Sequence, residues 1–225
     1  MKTLIVSLGG SVIVPDEVDT IFLKNFRRAI LDFIKNGGRA VIVAGGGGTN
    51  KKYNAAAKKL AKIKNVDLDW LGIAATKLNA ELVRVIFSEA AYEKVAINPT
   101  EKIKTNKKII IASGWLPGCS SDKDAILWAK NFGAKQVINL TNTDYVYDKN
   151  PKKFKNARPI KNLKWAEYRK MVGSKWIPRM HAPFDPIASR FAEKWGMEVV
   201  IMKANHLDNF RKFLKGEKFK GSVIK

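Results

Sequence analysis

The chain has 225 residues, 46% of them hydrophobic, with 42 Lys or Arg against 20 Asp or Glu and a formal net charge of +22. That length and apolar content suit one compact domain, or two lobes on a shared sheet, and exclude disorder; no apolar run approaches the roughly 18 residues of a membrane span. Cys119 is the lone cysteine, which excludes an internal disulfide and a cysteine metal cluster, and two histidines, His181 and His206, argue against a histidine-rich metal site.

In chain order, residues 3–8 are the first expected strand. The start, Met1-Lys2-Thr3-Leu4-Ile5-Val6-Ser7, lacks the apolar stretch and cleavage site of a secretory signal, so the expected address is the cytoplasm. A helix follows over 19–35, where Phe22, Leu23, Phe26, Ile30, Phe33 and Ile34 recur at spacings of three and four, and Asn36-Gly37-Gly38 stops it. Further strands are expected over 39–44, 107–112, 135–140 and 198–202, each apolar enough for burial on both faces. Further helices are expected over 49–62, 71–90, 122–132, 185–195 and 208–214. Residues 98–106, 148–162 and 173–184 read as loops. Strands alternating with helices imply a mainly parallel sheet covered on both faces, with ligands beyond the carboxyl ends of the strands. The basic residues are spread along the chain. Their densest run, 149–164, reads as a solvated face, and an anionic substrate or non-specific nucleic acid is compatible with it.

The residue types that carry chemistry fall at those strand ends. Gly9-Gly10-Ser11 follows the first strand directly; glycines let backbone amides approach an anion and Ser11 adds a hydroxyl, although a strand-ending turn explains this tripeptide alone. Gly45-Gly46-Gly47-Gly48-Thr49 follows the second strand and opens a helix. Four glycines cost too much backbone entropy for a bare linker, which favours an anion site at a helix N-terminus, with Lys51 or Lys52 within reach of a phosphate. Neither loop is a Walker A or a dinucleotide fingerprint. Two separate glycine turns suggest phosphates held from two directions.

Four acids stand out, three of them with two readings each. Asp69, before Trp70-Leu71-Gly72, is a helix N-cap or a ligand for hydroxyls. Asp122 closes Gly114-Trp115-Leu116-Pro117-Gly118-Cys119-Ser120-Ser121-Asp122 and is cap-like, while Ser120 and Ser121 suit acceptor or phosphate binding. Asp144, within Thr141-Asn142-Thr143-Asp144-Tyr145-Val146-Tyr147-Asp148, belongs to an Asx-turn or to a nucleotide site in which Tyr147 packs on a base. Asp185-Pro186 is N-cap plus first helical residue, or an acid that positions a cation near a transferred phosphate. His181 is read as a loop residue.

These pieces, in this order, resemble the amino-acid-kinase family, and within it the UMP kinase branch of archaeal type. The matching stretches are SLGGSVIVP at 7–15, VAGGGGTNKKY at 43–53, DWLGIAATKLNAEL at 69–82, GWLPGCSSD at 114–122, NLTNTDYVYDKNP at 139–151 and FDPIA at 184–188. The resemblance implies a three-layer αβα sandwich in one domain over 1–225, with 1–121 mainly for the acceptor and 122–225 mainly for ATP and magnesium. It implies that Gly9, Gly10 and Ser11 contact the transferred phosphoryl group. It places the UMP phosphate on Gly46, Gly47 and Lys51, the ribose on Asp69, and UMP contacts on Ser120 and Ser121. Asn142, Asp144, Tyr147 and Asn150 match the nucleotide-binding segment with Gly9 and Gly10, and Asp185 matches the acid that organises the catalytic centre; no protein ligand to the metal is assigned. A homo-oligomer, commonly a hexamer, is implied too.

Three departures from the family pattern stand out: Ser7 where many relatives carry lysine, Asn142 where bacterial members use a second lysine and archaeal-type sequences often differ, and Tyr145 where a glycine usually follows the aspartate. Lys51 and Lys175 are the candidate replacement cations. The expected reaction is phosphoryl transfer from ATP to UMP, which needs positioning and charge stabilisation and no general base. Rivals are another acceptor (carbamate, an acyl-amino acid, isopentenyl phosphate), a non-catalytic nucleotide-binding relative, or a basic nucleic-acid binder.

Overall fold

The computed structural model describes residues 2–174 and 182–225, so Lys175 and His181 lie outside the described residues. The first strand, β1 (Thr3–Leu8), lies inside the sheet. It leads through a single turn of helix, α1 (Gly10–Ile13), to α2 (Thr20–Lys35), whose first turn is capped by the Asp19 carboxylate accepting from the Phe22 amide at 2.8 Å. Then come β2 (Arg39–Ala44), α3 (Gly47–Leu60), α4 (Asn65–Phe87), β3 (Ile109–Ala112), α5 (Ser121–Asn131) and β4 (Gln136–Thr141). A small hairpin, β5 (Val146–Tyr147) with β6 (Pro159–Ile160), precedes β7 (Asn162–Leu163), α6 (Trp165–Val172), α7 (Pro186–Lys194), β8 (Glu198–Lys203), α8 (Leu207–Leu214) and β9 (Ser222–Ile224).

The main sheet has seven strands in the order β3-β2-β1-β4-β8-β9-β7, parallel throughout except for the β8–β9 pair. Alternation along β1 sends Leu4, Val6 and Leu8 to one face and Ile5 to the other. The first face packs on α2, α4 and α8 around Phe26, which stacks on Phe22 and Phe210 and meets the edge of Phe87. The opposite face packs on α5, α6 and α7 around Trp128, Trp165, Tyr168 and Phe184. There the Tyr168 hydroxyl donates to the Phe184 carbonyl at 2.8 Å and accepts from its amide at 2.7 Å. This is the expected three-layer αβα sandwich.

All five expected strands are present. The additions include α1, β5, β6, β7, β9 and α6, short elements that show little period in the sequence. The larger correction is at α4, which starts at Asn65 rather than 71 because its buried stripe already begins at Leu68.

The topology brings the two glycine turns together. Leu8 and Ala44 are register partners at the carboxyl ends of adjacent strands, so the turns that follow them must share space. The Gly45 amide donates to Leu8 O and the Gly9 amide to Leu140 O, both at 2.9 Å. A Cβ on Gly10 would lie 2.0 Å from the Gly47 nitrogen, and one on Gly47, whose φ is +57°, would lie 2.0 Å from the Gly10 oxygen. Both obstacles are backbone and cannot rotate away. Gly10→Ala is therefore expected to lower stability by about 3 kcal/mol or more, read as a shift of the urea midpoint.

Candidate active site

Beyond the joined glycine turns opens a cleft of about 230 Å³, walled by α3, α4, the 114–121 loop and the start of α7. Gly46 is the N-cap of α3, and the first amides of a helix have no intrahelical partner. Asn79, 3% exposed on α4, donates to the Gly45 and Gly46 carbonyls at 2.8 and 3.1 Å, fixing the turn from behind. Helix dipole and oriented amides make this corner attractive to a phosphate. Gly9 lies half-buried and Gly10 buried against it, while the neighbouring Ser11 is exposed.

The 114–121 loop is held by side chains from α4 and from the N-cap of α7. Thr76 Oγ1 of α4 accepts the Gly114 amide at 2.8 Å, and Asp69 Oδ2 accepts the Gly118 amide at 2.8 Å. Asp69 thus sits inside α4, facing the cleft, and does not cap the helix; Lys64 holds the N-cap position. At the other end, Asp185 Oδ2 accepts from the amide and hydroxyl of Ser120 at 2.7 and 2.9 Å. Its Oδ1 accepts from Ile187 and Ala188 at 2.5 and 3.2 Å, the expected N-cap of α7. One buried carboxylate therefore caps a helix and anchors the loop at once. Ser120 is itself the N-cap of α5, so Asp122 does not have that part, and Ser121 is the first residue of the helix.

Asp122 instead ends a buried chain of hydrogen bonds. Its Oδ1 accepts from Ser7 Oγ at 2.8 Å and from Asn139 Nδ2 at 3.3 Å, and its Oδ2 accepts the Asp185 amide at 3.1 Å. Burial and the neighbouring Asp185 charge push the Asp122 carboxyl up to about 7. Asp124, also buried, is pushed up to about 7 by burial, against the pull of the Trp115 amide and Lys123. Burial likewise drives the Cys119 thiol up to about 12, so it is no nucleophile here.

On the β4 side, Asp144 makes no Asx-turn. Its carboxylate lies 3.7 Å from Lys203 Nζ and 3.2 Å from His206 Nδ1, which ties the segment to the end of β8. The Tyr145 and Tyr147 rings meet edge to face at 6.2 Å. Asn142 is exposed, and exposed Asn150 accepts the Lys152 amide at 2.9 Å. Lys51 is exposed and is not among the residues lining the cleft, and Lys52 donates to the Asp16 carbonyl. The structure thus gathers Gly46, Asp69, Ser120, Ser121 and Asp185 around one cavity beside Gly9, Gly10 and Gly47. Lys51, Asn142, Tyr147 and Asn150 are not among its lining.

Sequence reasoning missed Asn79, Asn139 and Asp124. A signal existed for the first: Asn79 falls on the apolar stripe of α4, where a polar side chain needs a partner.

This is the architecture of a phosphoryl-transfer enzyme: an open parallel sheet with paired glycine turns at the carboxyl ends of neighbouring strands. The model of the amino acid kinase family matches residues 2–203, and the chain belongs to that family. It is 32% identical to the uridylate kinase of Methanoregula boonei, over 100% of this chain and 96% of the relative. It is 31% identical to that of Sulfolobus acidocaldarius, over 93% of each chain. The crystal structure of uridylate kinase from Archaeoglobus fulgidus superposes with a TM-score of 0.81 at 28% identity, covering 100% of both chains. That of UMP kinase from Bacillus anthracis gives 0.78 at 17% identity, covering 100% of this chain and 96% of the other, a likeness of fold.

Two carboxyls whose folded values lie above the ordinary 3.8 set a direction for stability. Their contribution is fully present below the unfolded value and is lost as pH rises through about 7. The melting temperature is expected to fall from pH 5 to pH 8. Ser7→Ala should cost about 1 kcal/mol at pH 5 and about 2–3 kcal/mol at pH 8, where the ionised Asp122 loses a donor; denaturation at the two pH values checks it.

Proposed function

We propose that the chain transfers the γ-phosphoryl group of ATP to UMP, giving ADP and UDP for pyrimidine nucleotide (CTP) biosynthesis. The observation that carries this reading is the backbone contact between Gly10 and the Gly45–Gly47 turn, which puts two anion-accepting corners side by side. The uridylate kinase relatives support the choice of acceptor.

In this reading the UMP phosphate rests on Gly46 and Gly47 at the start of α3, its ribose hydroxyls meet the free oxygen of Asp69, and Ser120 and Ser121 complete the acceptor site. The γ-phosphoryl group lies against Gly9, Gly10 and Ser11, with the rest of ATP along Asn142, Asp144, Tyr147 and Asn150. The acceptor half is mainly 1–121 and the donor half mainly 122–225. An oxygen of the UMP phosphate, already ionised at neutral pH, attacks the γ-phosphorus in line as ADP leaves, so no base is needed. Preorganised amides bear the growing charge, each well-placed donor contributing about 2.7–4 kcal/mol. Asp185 holds the loop that carries Ser120, and Lys51 or Lys175 supplies the cation absent at Ser7. Among the described residues no group of three metal-ligating side chains occurs. Both oxygens of Asp185 are taken by protein donors, so magnesium is read as arriving on the triphosphate.

A homo-oligomer, a hexamer by family resemblance, is part of this reading. The outer side of α4 exposes Trp70, Leu78 and Val85 at spacings of eight and seven, an apolar stripe that fits a second copy. Among the described residues no helix is long and apolar enough to cross a membrane, and the address proposed is the cytoplasm. Nucleic acid is expected to bind only non-specifically, through charge.

A coupled assay of ADP release with UMP, CMP and isopentenyl phosphate tests the reading, with UMP expected to be the best acceptor. ATP or UMP binding without ADP formation would instead favour a nucleotide sensor, the reading that Ser7, Asn142 and Tyr145 support. Asp69→Asn is expected to raise KM for UMP about tenfold, with kcat changed far less, in the same assay.

A further inference from the structure

A protein of net charge +22 has a cleft whose charged lining among the described residues is wholly acidic: Asp69, Asp122, Asp124 and Asp185. Three of these acids have work inside the fold. Asp122 holds Ser7 and Asn139, Asp185 caps α7 and anchors Ser120, and Asp69 accepts from Gly118. Asp124 is different. It stands in the first turn of α5, is 3% exposed, and lines the cleft beside Gly114, Leu116 and Cys119. The group that hydrogen bonds to it is the Trp115 backbone amide. Asp124 is a buried carboxyl on the wall of the cleft, tied to the Trp115 amide and placed to meet a ligand there.

We propose that Asp124 reads the base of the acceptor nucleotide, pairing with the N3 and C4 positions of its pyrimidine ring. This rests on the cleft being the acceptor site, as set out above. With the phosphate at Gly46 and the ribose at Asp69, the base extends toward the wall made by Gly114, Leu116 and the first turn of α5. Uracil shows an N3–H donor next to its O4 acceptor. A neutral carboxyl shows the complement, a carbonyl acceptor next to an O–H donor. An ionised carboxylate keeps the bond from N3–H but turns a second acceptor toward O4, so recognition weakens.

The surroundings keep the neutral form available. Burial pushes Asp124 up to about 7. Asp122 on its own helix and Asp185 at the start of α7 raise it further, Lys123 on its own helix and the Trp115 amide lower it. Across the cleft Asp69 of α4 and Asp124 both act on the Cys119 thiol of the loop. A mere loop pin would need only an acceptor for the Trp115 amide and would work at least as well when ionised.

The test is UMP saturation kinetics from pH 7 to pH 9 with the full chain, Asp124→Asn and Asp124→Ala, together with the rise in melting temperature that UMP causes. For the full chain, KM for UMP is expected to climb at least about tenfold over that range while kcat changes far less. In Asp124→Asn, whose amide offers a donor and an acceptor at every pH, KM should not vary with pH. In Asp124→Ala, KM at pH 7 should rise at least about tenfold and the UMP-induced shift should shrink. Should the alanine variant fail to fold, the asparagine variant alone decides. A pH-dependent KM in Asp124→Asn that copies the full chain, or an alanine variant that binds UMP normally, overturns the assignment. No turnover of UMP by the full chain and no UMP-induced shift would defeat the kinase reading, and this one with it.

Discussion

The structure depends on one steric constraint: the backbone of Gly10 occupies the space where side chains at 45 and 47 would begin. Parallel pairing of β1 with β2 places their carboxyl ends level, and each strand must then turn without colliding with the other. Glycine resolves the collision at the cost of backbone entropy. The apolar cores on both faces of the sheet supply the compensating burial. The gain is a corner made of peptide groups alone, in which two phosphates can approach within bonding distance without meeting a side chain.

From that corner outward, the acids act as clamps for backbone. Asp69 holds Gly118, and Asp185 holds Ser120, Ile187 and Ala188. Carboxylates used in this way position a loop more firmly than neutral acceptors would, since hydrogen bonds to a charged group are the stronger ones. The same acids make the cleft interior electronegative within a strongly basic body. A strongly basic body draws anions in, and acids inside a cleft favour the hydroxyl and N–H donors of a ligand over its phosphate. In the proposed reading the phosphate therefore goes to the glycine corner.

What was legible in the sequence divides along physical lines. Five strands and the larger helices could be read because β-branched runs and the three-four spacing of residues such as Phe22, Phe26 and Ile30 are local properties. The two glycine turns could be read because entropy alone argues against four glycines in a linker. The start of α4 was misplaced because Asp69 looks like a cap, whereas the decisive fact, that Leu68 is already in the core, is tertiary. Asp122 was misassigned for a related reason. Several polar residues preceded the helix, and only packing shows that Ser120 takes the N-cap and frees Asp122 to turn inward. The partnership of Ser7 with Asp122 spans 115 residues of chain and leaves no local trace.

That partnership also accounts for a serine at position 7, where the family resemblance leads one to expect lysine. A lysine at position 7 would place a second buried charge beside Asp122 and require both to be desolvated together. Ser7 and Asn139 offer neutral donors instead, and the acid responds to its surroundings by holding its proton near neutrality. Compared with the buried ion pair that a lysine would make, a hydrogen-bonded network of lower charge is frequently neutral or favourable for stability. The consequence falls on chemistry rather than folding. A site that keeps no cation at the strand end relies more on peptide dipoles, on groups that arrive with the ligand and on the lysine proposed to replace that cation. The joined glycine turns, whose amides need no proton and no desolvated ammonium, are suited to that task.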